Sequence, residues 1–367
     1  MKIIILKFPY AKEFFCGIAC YMAERLEYEI EGVVSFDLAE KENSYEGWPI
    51  YPLNEIGKLS WDVAIYGCEE KDFNEIRPRM IELGIGKSEQ FKNMFWLLKN
   101  FMTKKYEDFA DPDIQETIEY WKTHEISVFN QHIVKSTLDK VRFDETCDLP
   151  YIFFQTVGGN TRKMYFPKKY DFHVQGGNIF VKDLLTEQLP TSPHLYITDK
   201  HKVNPGDIVI DAGVCEGNFA LKYVDICSKM YLFEPENKWQ EPLRQTFKDY
   251  LHKVEIIPKS VSDNSGGGII TIDDALPELR GENIFLKMDV EGDEPKALRG
   301  AKRILTDNKV KASVCTYHNA DDLIKVKNIL QSYGYKTSTS AGYMTFIYSL
   351  DIFKTADFRK GIVYAEN

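Results

Sequence analysis

Apolar segments of strand length alternate with segments of helical spacing through the first third of the chain. Apolar side chains recur every three or four residues in 14–26 and in 73–83, which predicts helices. Buried strands are predicted for residues 3–6, 31–36 and 61–66. Because strands that alternate with helices favour a parallel sheet, we expect a small Rossmann-like α/β domain over residues 1–105.

The middle of the chain has a different pattern. Apolar and aromatic residues are spaced between charges in 106–140, which predicts helices. Residues 150–200 are irregular and rich in strand formers, with turns marked by Gly158-Gly-Asn160 and Gly176-Gly-Asn178. We expect residues 106–200 to form a helical linker followed by a segment that covers part of a cleft.

Strands and helices alternate regularly again after residue 201. The predicted strands are 207–211, 230–234, 254–258, 269–272, 284–289, 311–316, 335–338 and 343–349. The predicted helices are 218–227, 239–250, 294–305 and 321–333. The last two strands follow one another directly, so we expect the final strand to be antiparallel. This pattern predicts an α/β domain over 201–367 that binds its ligand at the carboxyl ends of the strands.

The formal net charge of −10 changes the range of partners that we expect. Because binding to a nucleic acid backbone draws on clustered Lys and Arg, no nucleic-acid partner is predicted. The apolar run at the N-terminus is too short for a signal peptide, and no later window suits a membrane span, so a cytoplasmic location is expected. The seven cysteines have no paired metal spacing and are expected to be reduced.

The most informative motif is Ile208-Val-Ile-Asp-Ala-Gly-Val-Cys-Glu-Gly217, in which a strand leads to an acid and two glycines before a helix. Its order, Asp211-x-Gly213-x-x-x-Gly217, differs from the G-x-G-x-x-G of dinucleotide folds, where the acid comes about twenty residues later. An acid in first place suits a cationic amino acid group. Glu234 ends the next apolar run, where a carboxylate can bind a ribose diol. Either acid alone would be an ordinary cap or surface residue, but together they predict an S-adenosylmethionine site.

Two further segments complete a family resemblance. They are Ser260-Val-Ser-Asp263, before a glycine turn, and Phe285-Leu-Lys-Met-Asp-Val-Glu-Gly-Asp-Glu294. With the two motifs above, they make residues 165–350 resemble the FkbM family of S-adenosylmethionine-dependent methyltransferases. Members of that family usually have a small residue at the position of Asp293, and often Asn or Asp at that of Cys215. The resemblance implies a class I methyltransferase fold with S-adenosylmethionine as its cofactor.

The resemblance also implies which residues contact the cofactor. These are Asp211, Gly213 and Gly217 at the methionine part, Glu234 at the ribose hydroxyls, Ser260 and Val261 at the adenine, and Asp289.

Methyl transfer to a hydroxyl group requires a residue that removes its proton. Asp289 is the first candidate, His318 the second because imidazole titrates near neutral pH, and Glu291 the third. Strand alternation would place Asp289 and Glu291 on the same side of their strand if it continues that far. A lone histidine is more often structural than catalytic. Lys287 and Glu294 are expected to support these groups, and the substrate is expected to contact His173 and Lys287.

Asp289 and Glu291 are also oxygen ligands of the kind that Mg²⁺ accepts. Two carboxylates near the end of a strand are too common to define a metal site. The sequence therefore assigns none.

The N-terminal domain resembles the nucleotide-binding-like domain at the front of many sugar-processing proteins. Asp37 and Gly47-Trp-Pro-Ile50 fit that pattern. Leu6-Lys-Phe-Pro-Tyr-Ala11 stands where glycines would let a phosphate approach. We therefore expect a degenerate Rossmann-like domain that serves association into a homo-oligomer or placement of the substrate, by analogy of fold.

These observations predict an S-adenosylmethionine-dependent O-methyltransferase. Its acceptor is expected to be a sugar or sugar-derived hydroxyl, in surface polysaccharide or glycoconjugate biosynthesis. The cofactor motifs leave open the methylation of nitrogen or of a non-sugar metabolite. A non-catalytic partner protein that only binds the cofactor is the alternative from another class, and the intact segment Lys287-Met-Asp-Val-Glu-Gly292 argues against it. An NAD-dependent reductase is disfavoured by the missing glycines.

Overall fold

The computed structural model describes residues 1–8, 14–37, 42–66, 70–82, 84–129, 137–182, 184–346 and 356–367. The chain divides into two compact units: Met1–Asn130 with Thr345–Phe358, and Gln131–Met344 with Arg359–Asn367. The predicted boundaries at residues 105 and 200 fall inside these units and not between them. The reason is that the predicted linker, residues 106–200, contributes the helix Pro112–Trp121 to the first unit and several strands to the second. The predicted division into three segments stays a prediction.

The first unit is built on a mainly parallel sheet, which confirms its predicted α/β class. Its strands are β1 (Lys2–Lys7), β2 (Glu29–Ser35), β3 (Ser44–Tyr45), β4 (Trp48–Pro52), β5 (Val63–Tyr66) and β6 (Phe91–Asn93). They lie in the order β3-β4-β2-β1-β5-β6, in which β3 is antiparallel and the other pairs are parallel. The apolar run of β1 is buried at the centre of this sheet.

The helices described in the first unit are α1 (Phe14–Arg25), α2 (Glu70–Glu82), α3 (Met94–Tyr106) and α4 (Pro112–Trp121). The start of α4 is encoded locally. The Asp111 side chain accepts hydrogen bonds from the backbone N–H groups of the first turn, and Pro112 has no N–H to satisfy there. The side chains of Ile114, Ile118 and Trp121 recur at helical spacing and are buried. Residues 9–11 of the segment that lacks the phosphate-binding glycines lie outside the described residues.

The second unit begins with two small antiparallel sheets. Their strands are β7 (Leu138–Lys140), β8 (Arg142–Asp144), β9 (Leu149–Gln155), β10 (Thr161–Tyr165), β11 (His173–Gln175) and β12 (Asn178–Lys182). The strand orders are β10-β9-β8 and β11-β12-β7. The predicted turns at 158–160 and 176–178 join β9 to β10 and β11 to β12.

A seven-stranded sheet forms the centre of the second unit. Its strands are β13 (Ile208–Ala212), β14 (Lys229–Phe233), β15 (Val254–Ile257), β18 (Asn283–Met288), β19 (Lys309–Cys315), β20 (Lys336–Thr339) and β23 (Ile362–Glu366). The order is β15-β14-β13-β18-β19-β23-β20. Strand β23 is antiparallel to both neighbours, and the other pairs are parallel. Numbered along the chain within the sheet, this order is 3-2-1-4-5-7-6, which confirms the expected class I methyltransferase sheet.

The identity of the antiparallel strand differs from the prediction. The sequence placed it at 343–349, whereas the structure has it at Ile362–Glu366. Both segments are short and apolar, and an apolar pattern does not specify which of two candidates pairs with a given neighbour. The remaining short strands among the described residues are β16 (Ser260–Val261), β17 (Ile269–Ile270), β21 (Met344–Phe346) and β22 (Asp357–Arg359).

Helices cover both faces of the large sheet. They are α5 (Asn218–Tyr223), α6 (Asn237–Thr246), α7 (Ile272–Ala275), α8 (Glu294–Arg299), α9 (Lys302–Asp307) and α10 (Asp322–Ser332). Successive strand residues point to opposite faces, so Val209 joins the core that contains Trp239, whereas Ile210 joins the core that contains Leu298. Among the described helices, none combines the length and apolarity needed to cross a bilayer.

Candidate functional site

A cavity of about 430 Å³ lies at the carboxyl ends of β13, β14 and β18. This is the sheet edge at which the sequence predicts a ligand. The lining residues are Tyr170, Gly213, Cys215, Glu216, Phe233, Glu234, Pro235, Glu236, Lys238, Trp239, Lys259, Ser260, Val261, Asp289, Val290, Glu291 and Asp293.

Most of the predicted cofactor residues come together in this cavity. Those that line it are Gly213, Glu234, Ser260, Val261 and Asp289. Asp211 and Gly217 are not among the lining residues. Asp211 pairs with Lys287, and Gly217 packs against side chains of the core.

Gly213 is required by the close approach of two strand ends. Its φ is +80°, and a Cβ atom at this position would lie 1.7 Å from the carbonyl oxygen of Asp289. Gly217 also has a positive φ, and its α-carbon faces the side chains of Leu243 and Phe247, which leave little room for a Cβ. The two glycines thus shape the loop, one against the end of β18 and one against the core below α6.

Asp211 is paired with a lysine and does not face the cavity. The two residues are register partners on adjacent parallel strands, and Lys287 Nζ lies 3.1 Å from Asp211 Oδ1. The same ammonium group donates to the carbonyl oxygen of Gly213. Burial opposes the charge of Lys287, but the carboxylates of Asp211 and Asp289 outweigh it and hold the pKa of the lysine above its ordinary value. A contact between Asp211 and the cofactor stays a prediction, since Asp211 pairs with Lys287 and is not a lining residue of the cavity.

Glu234 follows β14 and fixes the loop around the cavity. One carboxylate oxygen accepts a hydrogen bond of 2.8 Å from the backbone N–H of Cys215, and the other accepts one of 2.8 Å from that of Glu236. Each oxygen keeps a second lone pair for a ligand hydroxyl. The side chain is nearly buried and lines the cavity, which is the placement that the sequence predicts for a ribose-binding carboxylate.

Asp289 lies just beyond the end of β18 between two histidines and two tyrosines. Tyr196 Oη donates to Asp289 Oδ2 at 2.7 Å, and Tyr317 Oη lies 3.5 Å from Oδ1. His194 Nε2 lies 3.6 Å from Oδ2 and His318 Nε2 lies 3.5 Å from Oδ1. Burial favours the protonated carboxyl group, but the contact with His194 and the charge of Lys287 outweigh it and lower the pKa of Asp289.

His318 contacts two further carboxylates besides Asp289. Its Nδ1 lies 3.0 Å from Glu294 Oε1, and its Nε2 lies 3.5 Å from Glu291 Oε2. Burial favours the neutral ring, but Glu294 and the other carboxylates outweigh it and raise the pKa of His318. Glu294 is buried, whereas the Glu291 side chain is 88% exposed.

The geometry corrects the strand argument for Asp289 and Glu291. Strand β18 ends at Met288, so both carboxylates belong to a loop, and strand alternation does not apply to them. Glu291 has a φ of +56°, a left-handed conformation that points its side chain to solvent at the cavity rim.

The two predicted substrate-binding residues are not placed at the cavity. Lys287 is buried and engaged by Asp211 and Gly213, because it sits within β18 and not beyond its end. His173 lies on the exposed strand β11, paired with Phe180 of β12, and is not a lining residue. A role of either residue in substrate binding is not supported by this placement.

Several residues of the site were not predicted. Tyr196 and His194 contact Asp289 from the segment that precedes β13, and Glu187 Oε2 lies 3.5 Å from His194 Nδ1. Trp239 lies at the cavity wall, where its ring is edge-to-face with that of Tyr170 at a centroid distance of 6.0 Å. Only the aromatic content of these segments signalled them, and that content does not distinguish a cavity wall from a core.

Carboxylates dominate the electrostatics of the cavity. Burial, together with the charge of Glu187, raises the pKa of Glu216 to about 7. Burial, followed by the charge of Glu216, raises the pKa of Tyr170 to about 12. Burial is the larger cause of both shifts, and nearby carboxylates add to it.

Comparisons with known proteins found solved structures of low sequence identity and low TM-score. No protein-family model and no curated protein matches the chain. An FkbM methyltransferase from Methylobacillus flagellatus KT has 15% identity and a TM-score of 0.43, with 99% of this chain and 89% of that chain covered. The chain is similar to this methyltransferase.

Two other solved structures are similar to a part of the chain. A precorrin-6y C5,15-methyltransferase from Geobacter metallireducens GS-15 has 13% identity and a TM-score of 0.32, covering 46% of this chain and 85% of its own. An rRNA methylase from Streptococcus thermophilus has 12% identity and a TM-score of 0.28, with 45% of this chain and 89% of that chain covered. Because these TM-scores are below 0.5, the fold rests on the strand order of the large sheet and not on these likenesses.

Proposed function

We propose that the chain is an S-adenosylmethionine-dependent methyltransferase. The observation that carries the proposal is the cavity at the carboxyl ends of β13, β14 and β18, in which a glycine loop and the carboxylate of Glu234 meet. The FkbM resemblance of the motifs supports the same conclusion.

The residues present fit the cofactor. The cavity volume lies within the range of about 300–1,000 Å³ that is typical of small-ligand sites. The backbone of Gly213 can be approached closely because a side chain there is excluded. Glu234 has lone pairs available for the two ribose hydroxyls, and Ser260 and Val261 line the part of the wall expected to hold the adenine.

The charge of the site also fits. S-adenosylmethionine carries a cationic sulfonium and a cationic amino group, and it supplies an activated methyl group when bound. Glu234 and Asp289 line the cavity, and Asp211 lies behind the loop with Lys287 as its counter-ion. Because the product S-adenosylhomocysteine has lost the sulfonium charge, this environment favours the substrate form over the product form.

We propose a hydroxyl group of a sugar or sugar-derived compound as the acceptor. Asp289, Glu291 and Asp293 line one end of the cavity and accept hydrogen bonds, which suits a ligand with several hydroxyl donors. Of the predicted proton acceptors, Asp289 and Glu291 line the cavity. His318 is not a lining residue, but its imidazole contacts both carboxylates. The roles of these residues in proton removal, the cytoplasmic location, the lack of a nucleic-acid partner and association through the N-terminal domain stay predictions.

The test is calorimetric titration of the protein with S-adenosylmethionine, S-adenosylhomocysteine and NAD. We expect saturable binding of the first two, and Glu234→Gln should raise the dissociation constant about tenfold or more, the value of a hydrogen bond to a charged group. Glu255→Gln is the matched control, because this glutamate lies on the neighbouring strand β15 with its side chain exposed. Binding of NAD alone, or no binding to folded protein, would overturn the proposal.

A further inference from the structure

Two loops bring three potential metal ligands together beside the cavity. Asp289 lies in the loop between β18 and α8, Glu294 is the first residue of α8, and His318 follows β19. One ligand atom from each of the three lies within 4.8 Å of the other two. This spacing is close to that between the ligands of a single ion, since metal–ligand bonds are about 2.0–2.3 Å long.

The loops are fixed against each other by contacts outside the cluster. Asn319 Nδ2 donates to the carbonyl oxygen of Gly292 at 3.3 Å, and a Cβ on Gly292 would lie 2.7 Å from that nitrogen. Arg359 Nη1 donates to the backbone carbonyl oxygens of Tyr317 and His318 at 2.7 and 2.9 Å. The three side chains are therefore held together by structure that does not depend on their own hydrogen bonds.

The cluster has more negative than positive charge. Three carboxylates, those of Asp289, Glu291 and Glu294, lie within 3.5 Å of the His318 imidazole. Lys287, whose charge acts on Asp289, is engaged by Asp211 and by the Gly213 carbonyl oxygen. Even a protonated imidazole would leave an excess of negative charge around the buried Glu294 and the nearly buried Asp289, which a bound cation would neutralise.

Buried polar atoms of the cluster have no hydrogen-bond partner. Glu294 is fully buried, and while its Oε1 accepts from the backbone N–H of Val290, its Oε2 accepts from no group. Neither nitrogen of His318, whose side chain is 10% exposed, makes a hydrogen bond of acceptable geometry, although carboxylate oxygens lie close to both. Buried carboxylates are normally satisfied, so these atoms point to a ligand.

We propose that Asp289, Glu294 and His318 bind a divalent transition-metal ion, with Glu291 as a fourth, solvent-facing ligand. One imidazole with several carboxylates suits Mn²⁺ or Zn²⁺ better than Mg²⁺, which prefers oxygen ligands and water. The site is open on one side, because Asp289 and Glu291 line the cavity. A substrate group could therefore reach the ion.

The use of this ion rests on the proposed function. A cation beside the acceptor hydroxyl would lower the pKa of that hydroxyl, so a weak base would suffice to remove its proton. Asp289 and His318 would then act on the acceptor through the ion, and not as proton acceptors themselves.

A neighbouring group of possible ligands is less suited. His194, Asp289 and Cys315 also converge, but Cys315 and His194 are buried and Tyr196 donates to the Asp289 oxygen on that side. Burial, together with the charge of Asp289, raises the pKa of the Cys315 thiol, which disfavours the thiolate that a metal requires. Cys315→Ser therefore serves as a variant that distinguishes the two groups.

The test is calorimetric titration of chelator-treated full-length protein with MnCl₂, ZnCl₂ and MgCl₂ at pH 7.5, without S-adenosylmethionine. We expect one saturable site, with Mn²⁺ or Zn²⁺ bound more tightly than Mg²⁺. Glu294→Gln and His318→Gln should each weaken binding about tenfold or more. Cys315→Ser and Asp307→Asn, which alters an exposed carboxylate paired with Arg280, should bind like the wild type. No saturable binding, or undiminished binding by both ligand variants, would overturn the proposal.

A second measurement covers the case in which a ligand variant fails to fold. Electron spin-echo spectroscopy of Mn²⁺ on the wild-type protein should show coupling to one imidazole nitrogen. Mn²⁺ bound without nitrogen coupling would also overturn the assignment. Because both measurements omit S-adenosylmethionine, their outcome is independent of the cofactor titration that tests the proposed function.

Discussion

Lys287 and Asp211 form a buried ion pair across two adjacent strands beneath the proposed cofactor loop. Lys287 Nζ lies 3.1 Å from Asp211 Oδ1, and both side chains are less than a tenth exposed. The lysine also donates to the carbonyl oxygen of Gly213, the first glycine of the loop. The pair therefore couples the stability of the sheet to the shape of the cavity.

We predict that Lys287→Met destabilises the protein by about 3–5 kcal/mol, because it leaves Asp211 buried without a counter-ion. The measurement is urea unfolding followed by circular dichroism. Arg280→Met is the control, because it removes the cation from an exposed pair with Asp307. It should lower the free energy of unfolding by about 0–1 kcal/mol.

The double variant Asp211→Asn with Lys287→Met tests the cause of that loss. It removes both charges, so it should recover part of the stability that the single variant loses. If the single variant unfolds at the wild-type urea concentration, the pair does not stabilise the fold as argued.

Gly213→Ala should disrupt the loop more than an ordinary glycine substitution. The new Cβ would lie 1.7 Å from the carbonyl oxygen of Asp289, so the end of β13 or β18 must move. Gly281→Ala isolates the cost of backbone conformation, because Gly281 has a φ of +71° and a Cβ there would have no atom within 4 Å. We expect Gly281→Ala to lower the free energy of unfolding by about 1–2 kcal/mol, and Gly213→Ala to lower it clearly more. Equal losses in urea unfolding would show that the close approach has no energetic consequence.

The sequence predicts the parts of the site that directly follow strands. Gly213 and Glu234 follow β13 and β14, and Asp289 follows β18. Strands of this kind are recognisable by their apolar runs, and a parallel sheet brings their carboxyl ends to one edge. The class of the large sheet could be predicted for the same reason.

The parts that could not be predicted depend on irregular segments or on pairing between distant strands. His194 and Tyr196 contact Asp289 from a loop whose path no periodicity determines. The sequence predicts a contact between Lys287 and the substrate. In the structure its side chain contacts Asp211, because the two residues are in register on neighbouring strands. Register is a property of two strands together, and the pattern of one strand does not show it.

Trp239 should report cofactor binding, if the proposed function is correct. It lines the cavity beside Tyr170, and it is the one tryptophan of the second unit, since the others at 48, 61, 96 and 121 belong to the first. We expect S-adenosylmethionine to change the intrinsic fluorescence of the wild type and of Trp96→Phe, but not of Trp239→Phe. A signal that persists without Trp239, with equal calorimetric binding, would place the ligand elsewhere.

His201 should make the stability of the second unit depend on pH. Its ring is buried against Phe285 and Tyr364, and its Nε2 lies 3.1 Å from Ser313 Oγ. Burial, followed by the charge of Lys311, lowers the pKa of His201 to about 4. The unfolded chain therefore binds a proton at higher pH than the folded chain does. The resulting stability is present above about pH 6.5 and is lost as the pH falls from about 6.5 towards 4.

Between pH 6.5 and 4 this shift lowers the free energy of unfolding by about 3 kcal/mol, at about 1.4 kcal/mol per pKa unit. Other groups titrate there too, so the measurement is the difference between the wild type and His201→Phe, which keeps an aromatic ring and removes the proton site. The variant loses the contact with Ser313 at every pH, although that hydroxyl still donates to the Tyr196 carbonyl oxygen. We expect the free energies of unfolding to converge, or to cross, as the pH falls from 7 to 4. Parallel curves would show that His201 is not held neutral by the fold.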